Sequence, residues 1–121
     1  MKTTHFPRTR TAELASFDET LGDLLSDAPA IEQFTGFLET AEGDGALDHE
    51  TKELMSLAIS VVVHCENCIL WHTDAALKAG ATHEEVVDAL RVAVVMGGGP
   101  ALTYAAEAHE TLEALEDERG E

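Results

Sequence analysis

The chain has 121 residues, 45% of them apolar, and carries 24 acidic against 7 basic side chains for a net charge of −17. That length suits one domain with a single modest core, and the apolar content is too high for a disordered chain. The charge excludes a nucleic-acid partner, because phosphate binding needs a basic face.

Lys2, Arg8 and Arg10 all lie in the first ten positions, so the remaining body is more acidic still. A solvated acidic surface with only Lys52 and Lys78 as lysines suits a halophilic, high-salt cytoplasm, where self-repulsion is screened. The opening "MKTTHFPRTR" has no apolar stretch after its basic start and is not read as a signal peptide. The unbroken apolar runs "VVV" and "VAVVM" are too short to span a bilayer. The expectation is therefore a cytoplasmic protein without a membrane partner. Two cysteines are too few for a secreted disulfide scaffold, and a close pair points to redox or metal chemistry.

Residues 1–10 read as a flexible tail, and residues 11–118 as one all-α domain. Leu14, Phe17, Leu21 and Leu24/Leu25 repeat at helical spacing to about residue 26. Pro29 is placed to open a second helix whose Ile31, Phe34, Leu38 and Ala41 share a face. "EGDG" (42–45) is a turn, and a third helix from near Asp48 carries Leu54, Leu57, Ala58, Val61 and Val62 inward. A fourth runs to Lys78 with Gly80 as its cap. "THEE" (82–85) is a capping box that starts a fifth, "GGGP" (97–100) breaks it, and Pro100 begins a sixth with Leu102, Ala105, His109, Leu112 and Leu115. The acidic end "EDERGE" is expected to fray. "VAVVM" is apolar all round its helix, which implies packing against another subunit.

The chemistry sits in "HCENCILWH" (64–72). On a continuous helix Cys65, Cys68 and His72 fall within a stripe of about 60°. Cys68 and His72 are direct neighbours, and the two sulfurs can approach disulfide geometry. His72 can take the Cys68 proton, and N-terminal helix amides would favour the thiolate further. Such a thiolate attacks a peroxide oxygen, and the sulfenic acid condenses with the second thiol into a disulfide that an external dithiol must reduce. Glu53 is the candidate carboxylate behind His72, although spacing alone cannot bring the two together. Two alternatives stand beside this: a metal held by both cysteines and His72 with Glu53, His49 or His64, or a pair of core cysteines with a core histidine. His64 itself points about 100° from Cys65 and reads as peripheral.

The stretch "KELMSLAISVVVHCENCILWHTDAALKAGATHEEVVDAL" (52–90) resembles the carboxymuconolactone decarboxylase family, in its alkylhydroperoxidase-D-like branch. The resemblance implies an all-helical fold that assembles as a homo-oligomer, a trimer or hexamer. It implies a proton relay of Glu53, Cys68 and His72, with Cys65 as the disulfide partner; no cofactor and no bound metal are expected. Its substrates would be a small hydroperoxide and a dithiol or protein reductant. Asn67 stands where redox members of the branch carry a second histidine, and it cannot relay a proton at neutral pH. The family also holds lactone decarboxylases, which do not need the cysteine pair. The reading is a peroxidase-like oxidoreductase with Cys68 attacking, Cys65 resolving, His72 as base and Glu53 orienting it. Phe34, Phe37 and Trp71 are candidates to line the approach of an organic hydroperoxide. A non-catalytic metal-binding or stress-associated helical oligomer is the alternative.

Overall fold

The computed structural model describes residues 9–120. They form five helices: α1 (Arg10–Asp27), α2 (Glu32–Glu42), α3 (His49–Val62), α4 (Glu66–Lys78) and α5 (His83–Arg119). A single 3-10 turn, Pro29–Ile31, leads into α2, with proline at its first position where a missing amide hydrogen costs nothing. The expected helix starts have the expected chemistry. The Asp48 side chain accepts the Thr51 amide at the head of α3, and Thr82 and Glu85 exchange bonds at the head of α5.

α5 is one run only in name. His83 Nδ1 lies 2.9 Å from Glu116 Oε1, 33 residues further on, whereas a straight helix would separate them by about 50 Å. The chain doubles back at Gly98, whose φ of 68° and ψ of −149° belong to glycine alone. The two arms of this hairpin correspond to the fifth and sixth expected helices.

α3, α4 and both arms of α5 enclose the core, built on Leu57, Val61, Ile69, Ala76, Val86, Leu90, Ala93 and Leu112. Ala101, Ala105 and Ala108 are buried on the returning arm, and their small side chains let it approach its neighbours closely. Leu102 turns outward, unlike the inward place expected for it. α1 and α2 bury no residue fully in the single chain. The apolar face of α2 is left open, with Phe34, Phe37 and Leu38 exposed.

The acidic end departs from the expectation that it frays. α5 stays helical to Arg119, because its last turn is tied down twice. Glu118 accepts the amides of Thr11 at 2.8 Å and Arg10 at 3.0 Å, orphan donors at the start of α1. Burial alone would raise the Glu118 carboxyl, but those amide bonds outweigh it and hold the group below its ordinary value. Arg119 pairs with the buried Asp74 of α4, which Lys78 also meets at 3.1 Å. Residues 1–8 of the expected tail lie outside the described residues; Thr9 caps α1, and Arg10 opens it while bonding Glu13 and Glu110.

The two arms of α5 are pinned at their open end by His83 and Glu116. The hydrogen bond that His83 donates to Glu116 holds the imidazole above its ordinary value against the opposing effect of burial, with help from the Glu116, Glu84 and Glu113 charges. A raised histidine contributes stability fully below its unfolded pKa of about 6.5, and the contribution fades as pH rises through the folded value. Glu116→Gln should therefore lower the melting temperature more at about pH 5.5 than at about pH 8.5. Equal losses at both would mean that the pair carries no linked proton.

Candidate redox site

α3 ends and α4 begins across a joint of three residues. The His64 amide donates to Val61 O at 3.3 Å and the Cys65 amide to Ser60 O at 3.0 Å, the pairing that closes a helix through a left-handed residue. That residue is His64 (φ 62°), where glycine is usual, and Gly80 holds the equivalent place after α4. The left-handed conformation costs a side-chain-bearing residue about 1–2 kcal/mol. The His64 ring lies flat on Tyr104, centroids 4.5 Å apart and planes 3° from parallel, which offsets part of that cost.

Cys65 is thus not on the helix but caps it. Its backbone is extended, and its sulfur accepts the Cys68 amide at 3.3 Å. The stripe expected from a continuous helix holds for Cys68 and His72, one turn apart on α4; Cys65 joins them from the cap. Cys65 and Cys68 form a disulfide with Cα atoms 5.2 Å apart. Both sulfurs sit at the positive end of α4, where amide dipoles favour a thiolate once the bond is reduced. While it is intact, neither sulfur is a thiolate available to a metal.

Glu53 answers the question that spacing left open. It is 4% exposed in the middle of α3, and its Oε1 lies 2.7 Å from His72 Nδ1. A carboxylate only accepts, so His72 carries hydrogen on Nδ1, and Nε2 is the nitrogen free to take a proton. The other oxygen, Oε2, faces His49 Nε2 at 3.7 Å. Glu42, at the end of α2, completes the group. Donor atoms of Glu42, Glu53 and His72 all lie within 4.8 Å of one another. Two hydrogen-bonded pairs make up the cluster: Glu42 accepts from the Ser56 hydroxyl at 2.9 and 3.1 Å, and Glu53 accepts from His72. Sequence reading gave Glu42 and Ser56 no role. Their spacing along α2 and α3 held no signal, because the contact depends on how the 42–48 turn folds back.

The candidate aromatic approach is divided. Trp71 packs edge-on against Phe17 at 5.8 Å and lines a groove of about 450 Å³ between α1 and α4. None of Cys65, Cys68, His72 or Glu53 lines that groove. Phe34 and Phe37 pair with each other on the open face of α2.

A five-helix fold with a Cys-x-x-Cys pair capping one helix and a glutamate-backed histidine one turn on defines a thiol-disulfide class of helical protein. The Carboxymuconolactone decarboxylase family model matches residues 29–111, and the chain belongs to that family. An uncharacterised protein of Cupriavidus necator is 38% identical over 86 residues, covering 71% of this chain and 76% of its own. The crystal structure of a carboxymuconolactone decarboxylase family protein from Legionella pneumophila superposes with a TM-score of 0.81 at 38% identity, over 86% of this chain and 94% of that one. An alkyl hydroperoxide reductase AhpD of an Anaeromyxobacter strain is 38% identical over 65 residues, 51% of this chain but only 35% of its own length.

The Glu53–His72 contact has a chemical consequence that does not depend on any substrate. Glu53→Gln keeps the size and a hydrogen bond but removes the negative charge facing His72. Alkylation of Cys68 in the reduced protein at neutral pH should slow by roughly tenfold or more, the scale of a charged hydrogen bond. Helix content by circular dichroism should be retained. An unchanged alkylation rate would leave Glu53 a structural carboxylate only.

Proposed function

We propose that this protein is a thiol-dependent peroxidase that reduces organic hydroperoxides through a Cys65–Cys68 disulfide cycle. The observation that carries the reading is the buried Glu53 bound to His72 Nδ1, one helical turn from a cysteine of a redox pair. A buried carboxylate behind a histidine is an arrangement for moving a proton, which a structural cysteine pair has no use for.

His72 Nε2 takes the Cys68 proton. The Cys68 thiolate attacks the outer oxygen of ROOH, the O–O bond breaks, and the alkoxide leaves with the proton returned from His72 as ROH. Cys68 is now a sulfenic acid. The Cys65 sulfur displaces its oxygen, which leaves as water with the Cys65 proton, and the disulfide forms. Sulfur has lost two electrons and the peroxide has gained them. A dithiol, free or on a protein, returns them by thiol-disulfide exchange. No metal or cofactor takes part. The partial match to an alkyl hydroperoxide reductase AhpD supports the same reaction class. The cytoplasm, where dithiol reductants are abundant, is the compartment that suits the cycle.

The roles of the sulfurs are separable. Cys65→Ser treated with one equivalent of hydroperoxide should hold a sulfenic acid at Cys68 that a dimedone-type reagent captures, while Cys68→Ser should not label. Labelling at Cys65 instead would exchange the two roles. Failure of the unmodified protein to consume any hydroperoxide with a panel of dithiols would remove the peroxidase reading.

We also read the chain as a homo-oligomer, a trimer or hexamer. Val95 and Met96, in the run that is apolar all round, are 80% and 75% exposed in the single chain. Val92 and Leu102 of α5, Ile59 of α3, Val63 just after it, and the open face of α2 add to this surface. α5 is long and apolar enough by composition to cross a membrane, but the chain reverses within it at Gly98. A second copy is the cover that fits an acidic protein with these faces. Light scattering in high salt should give a mass of at least three chains, and a monomer at micromolar concentration would exclude this assembly.

A further inference from the structure

The structure assigns His49 as a positioning residue of the relay: its Nε2 carries a proton toward Glu53 Oε2 and so holds Oε1 on His72. The assignment rests on the relay proposed above and extends it to a second imidazole on the far side of the carboxylate.

His49 Nδ1 lies 2.6 Å from the main-chain oxygen of Glu42. A carbonyl oxygen only accepts, so the hydrogen of a neutral His49 ring would have to sit on Nδ1. Nε2 would then offer a bare lone pair to Glu53 Oε2 across 3.7 Å, acceptor facing acceptor. At 3.7 Å the pair is too long for a hydrogen bond and is attractive as an ion pair when Nε2 carries hydrogen. The surroundings favour it. The Glu42 carboxylate is within 4.8 Å of donor atoms on both Glu53 and His72, and two carboxylates so close call for positive charge beside them. Asp48, the residue before His49, adds a third negative group. Lys52 points away from this cluster onto the oxygens of Ala41 and Gly43 at 3.0 and 2.7 Å, and His72 already serves Oε1.

Position follows from the fold. His49 is the first residue of α3 and lies one turn before Glu53 on the same helix, so the two side chains share a face. Asp44 accepts the His49 amide at 2.7 Å, and Lys52 clamps the carbonyls of the turn. The ring is therefore held from its backbone and from Nδ1, while 43% of its side chain remains in solvent. With Oε2 so occupied, the Glu53 carboxyl cannot rotate away from His72 without breaking a second interaction. His72 keeps Nε2 free as the base.

Two substitutions separate this role from a merely structural one. His49→Asn keeps a donor near the Nδ1 place for Glu42 O and removes the Nε2 end. His49→Gln keeps a donor near the Nε2 place and removes the Nδ1 end. The expected result is that alkylation of Cys68 in the reduced protein slows about tenfold in His49→Asn and clearly less in His49→Gln, the loss of a charged contact being the larger effect. The reverse order would overturn the assignment, since it is what tying α2 to α3 through Glu42 alone requires; so would equal rates in all three proteins. Nitrogen-15 shifts of the ring atoms in the unmodified protein give a second reading that needs no variant to fold. Hydrogen on Nε2 of His49 and on Nδ1 of His72 at neutral pH is expected, and a bare Nε2 on His49 would overturn the proposal. Alkylation and ring shifts involve no peroxide. If they behave as expected while no hydroperoxide is consumed, the peroxidase reading falls and the His49 assignment stands.

Discussion

A carboxylate taken almost wholly out of water must find a positive or hydrogen-bonding partner or give up its charge, and the fold is arranged around that requirement at Glu53. Glu53 projects from the middle of α3 toward His72 on α4, so the register between these two helices is fixed where the chemistry lies. The apolar contacts of Leu57 and Val61 with α4 and α5 bring the helices together, but such contacts tolerate a slip more readily than a 2.7 Å bond between two charged-type groups does. The 42–48 turn then closes the polar group from above through Glu42, Ser56 and His49. Ser60, Thr73, Asp74 and Thr111 are buried as well, but among these polar side chains Glu53 is the carboxylate that meets a histidine.

Local chemistry made the helix boundaries legible. Asp48, Thr82 with Glu85, Pro29 and Gly80 each satisfy or avoid a terminal backbone group, a need met within a few residues and hence visible in the sequence. The "GGGP" break was visible for the same reason, although not the full reversal that Gly98 makes. Side chains that act across the fold were not legible. The acidic tail reads as a fraying end until Glu118 is seen accepting the first amides of α1 and Arg119 is seen on Asp74. The motif was legible as the place where α3 ends, but not that Cys65 stands before α4 as its cap. Its true place depends on His64 taking a conformation that its residue type disfavours, held by a tyrosine 40 residues away. Glu53 was a candidate from its matching pattern, whereas its contact with His72 is a tertiary fact.

Charge and apolar exposure are divided on this molecule in a way that suits assembly. Arg10 and Arg119 are drawn to carboxylates on neighbouring helices, Lys78 to Asp74 on its own helix, and Lys52 is spent on backbone carbonyls. Few positive groups remain to balance the acidic surface, so like charges repel wherever they are crowded and unscreened. The exposed valines, phenylalanines and methionine of α2, α3 and α5 offer contact that salt does not weaken. High salt removes the repulsion and strengthens the apolar contact together.

The sulfur of Cys65 serves two functions that are ordinarily given to different atoms. It is half of the disulfide, and it also takes the place of the serine or aspartate oxygen that would receive an amide at the start of a helix. Sulfur accepts a hydrogen weakly when bonded to another sulfur and more strongly as a thiolate. The electron count of the pair is therefore written into how firmly the first turn of α4 is wound, and through that turn into the main chain that carries Cys68 and His72.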